Sequence, residues 1–184
     1  MKRTLSISAL VAILIASVAF SITSSQAASS GGSAGSASNC KFKKSAIPSS
    51  AIKFSSFYAR FHKPTSVAKA SDKIKASQAY AILFYSWRSF GYSINQSSIN
   101  ARKNLRQAKS ESGLRPNAIQ SQIDVNSGGN EAGGLFQLIP ATFDTWKVRG
   151  FNNRFNLLDN SLAVVNAQIN ADTIYTSGAL DGKG

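Results

Sequence analysis

The 184-residue chain has one cysteine, one histidine and only 8 acidic residues, and each scarcity closes a route. With Cys40 alone, no intramolecular disulfide forms, so stability has to come from an ordinary core. With His62 as the sole imidazole, set in a basic stretch and read as a surface residue, neither a Ser-His-Asp set nor a metal cluster assembles, and no cofactor is expected. Sustained polar-apolar alternation and internal repeats are both lacking, which leaves a mostly α domain. Long apolar runs are missing as well, apart from Leu5 to Phe20, which is short for a bilayer span.

That one run belongs to an export-type start. Lys2 and Arg3 precede it, and Ser25-Gln26-Ala27 offers small side chains where a signal peptidase reads. Residues 1–27 are expected to be a signal peptide, cleaved after Ala27 or alternatively Ala28, and the protein to be secreted or wall-associated; a retained anchor is the competing reading. Residues 28–40 are nearly all Ser, Gly and Ala and read as a flexible linker. Cys40 has the position of a lipid-attachment residue, but Ala37-Ser38-Asn39 lacks the pattern that goes with one, so a solvated tail residue is expected.

Charge is unevenly spread. Lys41 to Lys109 holds fourteen basic residues against Asp72 alone, whereas Ser110 to Gly184 holds five basic against seven acidic. The excess favours anionic polymers, and outside a cell these are wall polymers, peptidoglycan carboxylates and lipid headgroups. Nucleic acid is the runner-up: no recognisable binding module accompanies the charge, and the leader argues against it.

Residues 41–65 mix bases with Phe42, Phe54, Phe57, Tyr58 and Phe61, are interrupted by Pro48 and Pro64, and read as an irregular basic-aromatic arm lying on the domain or a separate wall-contacting segment. The main domain is expected over 66–184. Ala79, Ile82, Leu83, Trp87 and Phe90 recur at helical spacing before Gly91, predicting a helix from about Ser66 to Phe90 with that stripe in the core. A second is expected from Ser97 to Ser112, with Ala101, Leu105, Ala108 and Ser112 on one face and Arg102, Lys103, Arg106 and Lys109 on a solvated one. A third begins near Leu135 with Pro140 in its first turn or kinking it, and a last covers Leu158 to Thr176.

The segment Lys109-Ser110-Glu111-Ser112-Gly113-Leu114-Arg115-Pro116 carries the chemistry. Gly113 and Pro116 stop the helix, so Glu111 falls on its last turn, where the negative end of the dipole and apolar neighbours would raise its pKa. A carboxylic acid held protonated is what protonates a glycosidic leaving oxygen. Downstream come Asp124-Val125-Asn126, then Gly133-Gly134-Leu135-Phe136-Gln137 followed by Ile139-Pro140-Ala141-Thr142-Phe143. In this order the segments resemble the catalytic domain of lytic transglycosylases (SLT type) of the goose-lysozyme-like superfamily, over roughly Ala76 to the C-terminus.

The resemblance implies a lysozyme-like helical domain that cuts peptidoglycan glycan strands as a monomer without a cofactor. In that family the glutamate of Glu-Ser-Gly protonates the glycosidic oxygen, then takes the proton of the sugar's C6 hydroxyl as it attacks the anomeric carbon, leaving a 1,6-anhydro-muramic acid end and consuming no water. Glu111 would hold both roles. Asp124 would be a possible second carboxylate, able to position water for hydrolysis as in goose-type lysozymes, or else a loop brace together with Asn126. Gln137 would meet sugar hydroxyls and N-acetyl groups, with Gly134 allowing a close approach of backbone to ligand or neighbouring helix, and Asn126 is the third candidate contact. One segment departs from the family: Ala163-Val164-Val165-Asn166 lacks the tyrosine that commonly precedes the asparagine, and no motif places Tyr175 in the cleft. A hydrolytic muramidase on the same fold is the close alternative; from another class, an inactive wall-binding or structural protein.

Overall fold

Five helices and two short 3₁₀ turns account for most of the residues that this computed structural model describes, 42–67, 69–121 and 130–170. The mostly α class holds: among the described residues β-type pairing is confined to three isolated bridges, Thr65 with Ala118, Ile119 with Gly133 and Gly133 with Leu138. The expected signal peptide and linker lie outside the described residues.

The segment expected to be an irregular arm is largely a helix, α1, Ser49–Phe61. Its buried positions, Ala51, Ser55 and Tyr58, are small or polar and spaced by four and three, so the inward face carries little of the apolar signal that marks a helix in sequence. Ile47 and the half-buried Phe42, Ile52 and Phe54 join the same core, and the Phe42 ring packs 5.5 Å from Phe90 and 5.7 Å from Phe151. A boundary at residue 65 therefore separates no independent piece.

The helix expected from Ser66 is shorter: α2 covers Ala76–Ser89. Thr65 is held in backbone pairing by Asn117 and Ile119, and a 3₁₀ turn, Ala70–Asp72, intervenes. The Asp72 side chain is occupied by His62, 3.0 Å away. His62 also stacks on Tyr58 with ring centroids 4.1 Å apart, and Tyr58 donates its hydroxyl to the Asp72 carbonyl. His62 is thus a half-buried knot rather than a free surface residue. Its hydrogen bond holds the Asp72 carboxyl below the usual carboxylate range, against the opposing effect of burial, and burial pushes the Tyr58 hydroxyl up.

The expected stripe on α2 is core, with Ala79, Ile82, Leu83, Trp87 and Phe90 all buried. Helix α3, Ile94–Ser112, is capped by the Ser93 hydroxyl accepting from Gln96 N–H, and its four expected solvent-facing bases are exposed. Helix α4, Pro140–Trp146, starts later than expected: Gly133 and Leu138 pair through two backbone hydrogen bonds, which folds Leu135 into a tight turn and leaves Pro140 at the first helical position. Helix α5, Leu157–Asn170, packs against α1, α2 and α4 and is buried almost all round from Leu157 to Val165. It begins close to the expected Leu158; residues beyond Asn170 lie outside the described set. Where α5 meets α3, Trp87 donates to Asn104 (2.8 Å) and Asn104 to Gln168 (3.1 Å), so the buried amide and indole groups satisfy one another. Among the described residues no helix is long and apolar enough to cross a membrane.

Candidate active site

Glu111 lies on the last turn of α3, half-buried, one residue before the end. Gly113 closes the helix in the left-handed region with φ of 62°, its N–H reaching back to the carbonyls of Ala108 and Lys109. Leu114 follows with φ of 63°, an unusual conformation for a branched side chain, and is 2 % exposed. Burial of Leu114 in the core turns the chain sharply just beyond Glu111.

Ser112 connects this turn to the second motif. Its hydroxyl lies 2.8 Å from the Leu135 carbonyl and 3.2 Å from that of Ala108, and it accepts from the Arg115 N–H. Glu-Ser-Gly and Gly-Leu-Phe-Gln, twenty-three residues apart in sequence, are therefore adjacent in space. The second motif is itself braced from both sides. On one side Gly134 N–H donates to Ala118 at 2.9 Å, and the Gln137 amide nitrogen donates to the carbonyls of Ala118 (3.2 Å) and Gly134 (2.8 Å). On the other side stands Asn160 of α5, fully buried, accepting from Phe136 N–H at 3.0 Å and donating to Arg154 C=O at 2.9 Å. Arg154 in turn donates to the carbonyls of Glu131 and Leu138.

Of the five expected site residues, Glu111, Gly134 and Gln137 gather around this junction; Asp124 and Asn126 lie outside the described residues, as does Tyr175. Gly134 is explained by packing. Its φ is 84°, and a Cβ there would come within 2.5 Å of Asn160 Nδ2 and nearer still to the Arg154 carbonyl oxygen. Gly134→Ala should accordingly cost about 2–4 kcal/mol, combining left-handed strain with a clash against backbone, read as a lowered denaturation midpoint. A midpoint within error of the parent would mean that the turn relaxes freely. Asn166, in the segment where the family pattern is broken, donates to the Trp146 carbonyl at 2.8 Å and so ties α5 to α4.

Asn160 and Arg154 were not legible as site residues. The signal that existed was the polar run Asp159-Asn160-Ser161 between apolar helical residues, since a buried amide is nearly always hydrogen-bonded to something specific. Beside it, Asn156 caps α5 by accepting from the N–H groups of Leu158 and Asp159, and Asp159 accepts from Asn153 N–H at 2.9 Å. Burial nevertheless pushes the Asp159 carboxyl from 3.8 up to about 6, outweighing the backbone hydrogen bonds that favour its charge. The folded state then holds this proton more tightly than the unfolded chain. Its contribution to stability is complete below pH 3.8 and is lost as pH rises through about 6. Asp159→Asn should abolish that loss, so the stability difference between variant and parent should change by up to about 3 kcal/mol over this window and stay constant above it. A pH-independent difference in melting temperature would show that Asp159 titrates normally.

Among the described residues no group of three or more His, Cys, Asp or Glu side chains gathers as a metal site. No family model, curated protein or solved structure matches the chain.

Proposed function

We propose that the chain is an exported peptidoglycan-cleaving enzyme, a lytic transglycosylase in which Glu111 is the single acid and base, on a lysozyme-like helical domain. The observation that carries this reading is the 2.8 Å contact between the Ser112 hydroxyl and the Leu135 carbonyl, which brings the two sequence motifs into one junction beside Glu111. A carboxyl at the C-terminal end of a capped helix, half-buried, suits a group that must hold its proton until the leaving oxygen needs it and must accept one afterwards. Fixed backbone around Leu135 to Gln137 suits the other requirement, orientation of a sugar ring against that carboxyl. With the Gln137 amide nitrogen engaged by Ala118 and Gly134, its carbonyl oxygen is the group offered to a sugar hydroxyl or N-acetyl N–H.

The substrate would be the MurNAc-GlcNAc strand, and the basic residues over 41–109 would favour anionic wall polymers alongside it. Incubation of the purified protein with purified peptidoglycan should release soluble muropeptides. An intact polymer, bound but not cut, would instead favour an inactive wall-binding protein.

A further inference from the structure

We propose that the outer face of α1 docks the protein on an anionic lipid bilayer, with Phe57 and Phe61 entering the interface and Lys53 and Arg60 meeting lipid phosphates. Two of the aromatics of the helix point away from the core, although Tyr58 and Phe54 pack into it. Ala51 and Ser55 face inward, while Phe57 and Phe61 are 62 % and 61 % exposed. They sit one turn apart and touch, with ring centroids 4.5 Å apart. Lys53, one turn before Phe57, continues the same ridge, and the Arg60 guanidinium lies 5.8 Å from the centre of the Phe61 ring. Lys53, Arg60 and the following Lys63 are exposed, and none of them forms an ion pair among the described residues.

Charge selects the partner. Between residues 42 and 109 the only acid is Asp72, buried and held by His62, so this stretch offers no negative side chain to repel a phosphate surface. Apolar rings flanked by bases are the arrangement by which a helix lies in a membrane interface: the rings enter the acyl boundary and the cations stay with the headgroups. A wall glycan fits less well, because a pyranose stacks on one flat face and these rings are tilted 42° to each other. The inference does not depend on the glycan-cleaving reading, and the Glu111→Gln protein should bind lipid as the parent does.

Flotation of the full chain with vesicles of phosphatidylglycerol and phosphatidylcholine in equal parts, against phosphatidylcholine alone, tests it. The parent should bind the anionic vesicles and largely ignore the neutral ones. The double change Phe57→Ser with Phe61→Ser should lower partitioning about tenfold or more, and Lys53→Gln with Arg60→Gln by a similar factor that shrinks as salt rises. All four side chains are surface groups, and unchanged circular dichroism checks that the variants fold. Equal binding by parent and Phe variant would overturn the proposal and assign any lipid affinity to another part of the chain, such as the apolar run from Leu5 to Phe20. Equal binding to neutral and anionic vesicles would overturn the charge argument. Absent vesicle binding overturns it too, and two patterns then name the true occupant: loss of peptidoglycan binding in the Phe variant indicates a wall glycan, and loss of a parental dimer in sedimentation indicates a second copy.

Discussion

Glu111→Gln should leave a folded protein whose release of muropeptides from peptidoglycan is lower by about two to four orders of magnitude. The substitution keeps the shape of the side chain and a hydrogen-bonding head group but removes the transferable proton. Gln keeps the size and hydrogen-bonding capacity of the side chain at this half-buried helix end, so the variant should still fold. Release at near the parental rate would remove Glu111 from the chemistry. Collapse of both activity and melting temperature would instead make it a structural residue.

Asn160→Ala should destabilise the fold as strongly as Gly134→Ala. It strands the Phe136 N–H and the Arg154 carbonyl at once, in a position with no solvent access, and should cost about 2–4 kcal/mol. Asn170, an exposed amide at the far end of the same helix, is the control, and Asn170→Ala should stay within about 0.5 kcal/mol of the parent. At temperatures where the Asn160→Ala protein is still folded, its glycan release should also fall, because the turn bonded to Ser112, next to Glu111, has lost its brace. Full activity there would separate the turn from catalysis, and equal costs for the two variants would contradict the clamp.

The elements that could be read from sequence are those whose apolar residues keep helical spacing. Ala79, Ile82, Leu83 and Trp87 announced α2, and Gly113 with Pro116 located the end of α3 within a residue. Helix α1 is hard to read because its apolar pattern is mixed: small residues and Tyr58 are buried toward the core while Phe57 and Phe61 face solvent. The late starts of α2 and α4, relative to the expected Ser66 and Leu135, share a cause. In both places backbone groups find partners across the chain, Thr65 with Ile119 and Gly133 with Leu138, and such pairings between distant or tightly turned segments leave no periodic trace. At the site the motif residues were visible, but their supports were not. Ser112 was legible only as part of a tripeptide, and the link from its hydroxyl to Leu135 is a tertiary contact. Gly134 reads in sequence as a close approach to ligand or helix, and the neighbour it makes room for is Asn160 with the Arg154 backbone.

Digestion of purified peptidoglycan in heavy-oxygen water, followed by mass analysis of the new sugar ends, tests the central claim most directly. A transglycosylase closes the ring with the sugar's own C6 oxygen, so the account predicts anhydro ends, one water lighter than reducing ends and free of heavy oxygen, and none of them from the Glu111→Gln protein. Reducing ends that carry one heavy oxygen each would contradict it and assign the same site to hydrolysis.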